Sequence, residues 1–354
     1  MSLLGNRMKQ SAGDNAQQIQ GQTVLVGMSY ADVKDLCTTL IQSELALYAQ
    51  AANAEAQKRF DTILDKLIDA LTKIDEKYRS RFQEPAIQFA ANETFKEFIR
   101  SGKEELSDDL IDLMIERIRV EEHTTKQALI DEARQILPKL SSVTISILAI
   151  LTFSKLIINN KKSKFIAYMQ KLSPLLLQVG NPQSMDIAYL EQIRCGQVLS
   201  FISASSEFTE MMQKNYSPMF SHPILIDDFN RTMAENGWNN EDMSIALTML
   251  ALFETKGNQL IFNYSTLSKE TFTTRQQEFL EASNKLLSLA RKYTKEEVKQ
   301  FFLDIDPNWI NAIKLFNRND IKSFIVSPVG YYIGSRKLSK TLGEEIPFSL
   351  FYKN

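Results

Sequence analysis

Phe60-Asp61-Thr62-Ile63-Leu64-Asp65-Lys66-Leu67-Ile68-Asp69-Ala70-Leu71-Thr72-Lys73-Ile74 is the stretch whose pattern decides the fold. Its apolar residues recur at steps of three and four, which line one face of an α-helix; a half-buried strand would need steps of two. The same spacing reaches back through Val33, Leu36, Leu40, Leu45, Leu47 and Tyr48, and no Gly or Pro occurs between Tyr30 and Gln83. The centre, Gln50 to Lys58, is rich in Ala, which favours helix and lets helices approach closely. This predicts one very long helix or two nearly collinear ones, with any break near Asn53, lying along a partner helix. Ser29 is the expected N-cap, with Asp32 in the first turn.

Further along, punctuation marks the elements. Pro85 to Arg100 is an amphipathic helix stopped at Ser101-Gly102, and Leu106 to Val120 and Thr125 to Leu137 follow, the last ended by Pro138. Ser141 to Ile158, with Ser141 or Ser142 as the expected cap, is apolar nearly all round, the mark of a central helix. After a polar break at Asn159 to Lys164, helices are expected at Phe165–Met169, Leu175–Val179, Met185–Arg194, Ser206–Lys214, Ile224–Glu235, Glu241–Phe253 and Thr271–Tyr293. Thr294 with Glu297 forms a capping-box pattern for a helix to Asp304. Gln259 to Tyr264 reads as a short strand and Ser217 to Pro223 as a loop. At the end, Phe324-Ile325-Val326 reads as a strand, Ser327-Pro328 as N-cap and N1, Val329 to Leu342 as a helix stopped by Gly343, and Phe348 to Tyr352 as a returning strand. A strand-helix-strand of this kind makes a small sheet against helices, as in winged-helix-like modules.

The expected fold class is therefore mainly α: a long-helix bundle domain over 29–160, a smaller α domain with a short sheet over 161–354, and an N-terminal β-prone segment over 1–28. The boundary is expected between Asn159 and Gly180, where Gly180-Asn181-Pro182 is a strong turn signal. A chain of 354 residues suits two domains, and its 12 Gly and 9 Pro favour helix over a turn-rich β fold. The net charge of -2 argues against a dedicated nucleic-acid binder. Cys37 and Cys195 read as buried free thiols in a reducing cytoplasm, and with only His123 and His222 beside them a zinc site is not expected. Leu140 to Ser154 is an uncharged, largely apolar run; its 15 residues fall short of the roughly 20 that span a bilayer. The N-terminus carries no apolar core of a signal peptide, so the expected location is cytoplasmic.

Outside the helical pattern lies Gln10-Ser11-Ala12-Gly13-Asp14-Asn15-Ala16-Gln17-Gln18-Ile19-Gln20-Gly21-Gln22, six of whose 13 residues are Asn or Gln. Stacked copies of such a strand can ladder their amide side chains while backbone groups pair between chains. Gly13, Asp14, Asn15, Ile19, Gln20, Gly21 and Leu25 are the expected oligomerisation residues, and a homo-oligomer is the expected state. A flexible polar tail is the plainer reading of the same residues.

Other clusters have bland and sharp readings too. Asp108, Asp112 and Glu116 step by four along one helix face, suited to a cation or a hydrolytic site, but acids near a helix start also suit its dipole. Lys155, Lys161, Lys162, Lys164 and Lys171, interleaved with Phe165 and Tyr168, are candidates for anion or lipid contact, or a solvated surface. Arg336, Lys337 and Lys340 are candidates for nucleic-acid contact, or complements to a helix C-terminus. No phosphate-loop, dinucleotide or nucleophile-elbow motif occurs, so no catalytic residue, metal ligand or cofactor is assigned.

The segment Gln10-Ser11-x-Gly13-Asp14-Asn15-x-x-x-Ile19-Gln20-Gly21, followed by Ser29-Tyr30-x-Asp32-Val33-Lys34, resembles an uncharacterised family of bacterial helical proteins. The Pro85–Arg100 and Leu106–Arg119 helices, Ile136-Leu137-x-Lys139-Leu140-Ser141 and Val326-Ser327-Pro328-Val329-Gly330 fit the same pattern. The middle of the chain is similar to abortive-infection alpha proteins, a resemblance that implies antiphage defence as context and no particular activity. The first motif is similar in texture to Gly/Asn/Gln segments that drive self-assembly in bacterial signalling proteins. Gln18-Ile19-Gln20-Gly21 departs from their strict alternating core, which favours a finite oligomer over amyloid-type stacking. Together these features point to a non-enzymatic, self-associating interaction protein, with a protein partner expected. The alternatives are a membrane-damaging or membrane-sensing effector and a nucleic-acid binder acting through the C-terminal module.

Overall fold

The computed structural model describes residues 30–45, 50–156, 161–199, 207–239, 253–263 and 290–351, with a few isolated positions between 277 and 288. The fold is mainly α with short antiparallel sheets, and it divides into two compact units between Glu121 and Glu122.

In the first unit α1 (Tyr30–Leu45), α2 (Gln50–Thr72), α3 (Glu76–Arg79), α4 (Pro85–Ser101) and α5 (Ser107–Arg119) follow one another. The step of three and four in α2 does what it predicts: Phe60, Ile63, Leu64, Leu67, Ile68 and Leu71 are all buried. They pack against α1, α4 and α5, with Phe60 edge-on to Phe95 at 5.6 Å. Asn53 lies inside α2, so the expected break there is absent, and α2 stops at Thr72 instead of running to Gln83. The stop has a local cause. Thr72 Oγ1 donates to Asp69 O at 2.6 Å, Lys73 N and Ile74 N reach carbonyls only three residues back, and Asp75 turns extended. Arginines finish the helix ends: Arg59 donates to Ile99 O at 2.8 Å, and Arg81 donates to Ile118 O at 2.5 Å and Val120 O at 2.6 Å while pairing with Glu84.

The second unit is built on α7 (Ser142–Phe153), in which every residue from Thr144 to Phe153 is buried. Ser141 caps it, exchanging bonds with Thr144. The C-terminal helix, Pro328–Leu342, lies against α7 and against α6 (Thr125–Ile136). Contact is close because Gly334 faces α7 without a side chain. A Cβ there would sit 2.7 Å from Leu148 O and overlap Thr152 Oγ1. That contact joins α7 to the C-terminal helix within the second unit. No helix among the described residues is long and apolar enough to cross a membrane.

Around this pair stand α8 (Lys162–Lys171), α9 (Ser173–Gln178), α10 (Ser184–Gln192), α11 (Phe208–Asn215) and α12 (Ile226–Glu235), followed later by helices at Lys295–Ile305, Trp309–Phe316 and Asn319–Lys322. β1 (Gly196–Val198) pairs antiparallel with Phe324–Val326, in the register Gly196↔Val326. A second sheet orders β2 (Ile224–Leu225), β4 (Gln259–Phe262) and β3 (Phe253–Lys256) as 2-4-3. Phe253 is thus the start of a strand and not the end of a helix; 241–252, and nearly all of 271–289, lie outside the described residues.

The C-terminal cap signals hold: Ser327 Oγ accepts from Gly330 N at 3.2 Å, and Gly343 closes the helix in the left-handed conformation. The winged-helix-like return strand does not form. Phe348–Phe351 is a 3₁₀ turn that folds back on the C-terminal helix, Phe348 edge-on to Tyr332 at 5.5 Å and Ile346 N donating to Ser339 Oγ at 2.9 Å. The strand at Phe324–Val326 finds its partner in β1 instead.

Gly334→Ala forces two backbones apart in a packed core. It should lower stability by about 1–3 kcal/mol, read as a shift of the urea midpoint with the slope unchanged; an unmoved midpoint would mean that the two helices do not meet there.

Candidate functional site

The sequence-derived candidates scatter. Gly13, Asp14, Asn15, Ile19, Gln20, Gly21 and Leu25 lie outside the described residues. Asp108 and Asp112 are exposed on α5, and Asp108 pairs with Lys66 at 2.7 Å, a surface bridge within the first unit. Lys155 and Lys161 are exposed on either side of 157–160, which lie outside the described residues. Three of the other lysines lie over rings: Lys162 over Phe301 at 5.8 Å, and Lys164 and Lys171 over Tyr168 at 5.7 and 5.9 Å. Burial pushes the Lys162 amine below its ordinary value, with Glu254 opposing. Lys171 also donates to Leu342 O at 2.6 Å, completing the end of the C-terminal helix. Arg336 lies over Tyr332 on that helix, while Lys337 is half-buried and Lys340 exposed.

A different set of residues is brought together by the fold. Two extended segments cross-bond: His222 N donates to Arg291 O at 2.8 Å, Tyr293 N donates to Phe220 O at 2.8 Å, and Ser221 bridges Lys292 between them. One segment leaves α11 through Tyr216, whose hydroxyl donates to Leu156 O at 2.8 Å; the other runs into the Lys295–Ile305 helix through the Thr294–Glu297 capping box. An aromatic cluster fixes the helices that carry them: Phe208 lies 5.1 Å from Phe302, 5.7 Å from Trp309 and 5.5 Å from Phe316.

Where the segments cross, Lys292 Nζ turns inward. It lies 3.0 Å from Ser217 Oγ, 3.0 Å from Ser221 Oγ and 2.9 Å from Leu287 O. Ser221 Oγ donates to Ser217 O at 2.7 Å. Burial holds the Lys292 amine below its ordinary 10.5. Next to Ser221, His222 Nε2 sits 3.1 Å from Glu297 Oε1, an ion-pair distance without hydrogen-bond alignment, and Arg291 reaches the same carboxylate at 3.3 Å. The Thr294 backbone N–H is the main influence holding Glu297 below the usual carboxylate range. The fold thus sets a partly desolvated amine against two hydroxyls and a carbonyl.

Sequence reasoning placed Ser217 in a loop and did not single out Lys292. The two are 75 residues apart and share no local motif. Ser217 and Ser221 at a spacing of four is too common a pattern to have been a signal.

The model of an uncharacterised family matches residues 27–352. The matched range begins after the Gln10–Gln22 segment. No curated protein and no solved structure matches the chain.

Because the folded pKa of Lys292 is depressed, the unfolded chain binds more protons than the folded one between that value and 10.5. This group's contribution to stability therefore rises with pH across that window. Lys292→Met removes the rise, so the variant-minus-wild-type difference in urea midpoint should fall steadily as pH climbs toward 10.5. A difference that stays flat would mean that the amine is not desolvated.

Proposed function

We propose that this chain, which belongs to the uncharacterised family whose model spans residues 27–352, is a self-associating interaction protein. The observation that carries the reading is the N-terminal segment over 1–28, in which the Asn/Gln/Gly stretch Gln10–Gln22 runs into β-prone Thr23–Val26; it has too little apolar surface to hold alone and copies of itself as ready neighbours. Exposed apolar side chains in the second unit supply further contact surface: Met185 at 79% and Leu177 at 61% exposure, and Ile325 on the short strand opposite Gln197. A finite homo-oligomer follows, with the helical units presented in array to a protein partner. We place this role in the reducing cytoplasm, which suits the buried free thiols Cys37 and Cys195, and in antiphage defence, on the similarity of the middle of the chain to abortive-infection alpha proteins.

Light scattering on the full chain and on a chain starting at Gly27 tests the reading. The full chain should have a defined mass that is a multiple of 40.5 kDa, and the shorter chain should fall to a smaller species. Two monomers, or the same oligomer from both, would remove the segment as the means of assembly.

A further inference from the structure

We propose that Ser217 is a nucleophile activated by Lys292, and that the site takes the acyl group of an ester or amide substrate. The inference goes beyond self-association and does not depend on it. The argument is one of valence. As an ammonium, Lys292 Nζ donates to all three of its neighbours; once it gives up one proton it keeps two N–H donors and gains one lone pair. Leu287 O, 2.9 Å away, can only accept, so it takes one N–H. Ser221 has committed its own proton to Ser217 O at 2.7 Å, so at 3.0 Å from Nζ its oxygen takes the second. The lone pair is left for the third neighbour, Ser217 Oγ at 3.0 Å, whose proton it can receive. Ser221 thus acts as a positioning residue that orients the amine, and Leu287 O does the same from the other side.

Three further features suit the assignment. Ser217 and Lys292 are half-buried while Ser221 is 5% exposed, so the pair meant to meet substrate is the more open one. Desolvation lowers the proton affinity of the Lys292 amine, the direction that favours its base form. The frame is stiff: Phe220, one residue before Ser221, packs edge-on against Phe301 at 5.2 Å, and Gln213 donates to Tyr293 O at 2.5 Å.

In the reaction, Ser217 Oγ bonds to the substrate carbonyl carbon as its proton passes to Lys292 Nζ. The bond from that carbon to the leaving oxygen or nitrogen then breaks, and the leaving group departs with the proton from Nζ. Water attacks the acyl-serine, gives a proton to Nζ, and the proton returns to Ser217 Oγ as the acid leaves. No electrons are exchanged, and water is the only co-reactant.

The test is reaction of the full chain with an alkyl fluorophosphonate, which forms an Oγ–P bond and expels fluoride, followed by peptide mass spectrometry. In the wild-type protein Ser217 should be modified at least about 100-fold faster than the exposed serines Ser163 and Ser184 in the same sample, the range that a positioned base supplies. Lys292→Met should lose that advantage while its circular dichroism stays helical. Modification of Ser217 no faster than of Ser163 and Ser184 would overturn the proposal from the wild-type protein alone, whether or not the variant folds. Equal rates at Ser217 in wild type and a folded Lys292→Met would overturn it as well, leaving the lysine as a cross-brace.

Discussion

The second unit depends on the close approach of Ser142–Phe153 and Pro328–Leu342. Ten consecutive residues, Thr144 to Phe153, are buried, so this helix has no face to give to water and must be enclosed. Enclosure on one side is possible only because Gly334 lets the C-terminal helix come to the level of the Leu148 carbonyl and the Thr152 hydroxyl. Each large apolar side chain buried this way stabilises by about 1.5–3 kcal/mol, and the chain entropy of ordering the helices offsets most of the sum.

From that pair, contact runs outward to the polar cluster. Phe153 lies 6.2 Å from Trp309, Trp309 lies 4.9 Å from Phe302, and Phe302 belongs to the helix that follows Lys292. Phe208 joins the same aromatic group from the helix that precedes Ser217. The amine of Lys292 is thus held against two hydroxyls by apolar packing on both flanks, and the same packing desolvates it.

Local features of the fold were legible in the sequence because their causes are local. The Thr294–Glu297 capping box, the Ser141 cap, Ser327-Pro328 at the start of the last helix and the glycine stops at Gly102 and Gly343 each need a few neighbouring residues, and each is found. The apolar spacing of Phe60 to Leu71 marks a buried face whatever the partner. Tertiary choices were not legible. Nothing near Phe348 says that its ring will sit on Tyr332 in place of strand pairing, and nothing near Phe253 says that it will open a hairpin with Phe262. The close packing of Ser142–Phe153 on the C-terminal helix rests on Gly334, 182 positions after the Thr152 it faces, and the meeting of Ser217 with Lys292 on a crossing 75 residues apart. Periodicity reports which face is buried; it does not report against what.

The most direct measurement is native-state hydrogen exchange across the chain. The amides of Ile145–Phe153 and Tyr332–Leu342 should open together, with one free energy that is the highest in the second unit, since neither helix can leave without exposing the other. Exchange of Ile145–Phe153 in step with Phe60–Leu71, or well before Tyr332–Leu342, would contradict the central place given to that contact.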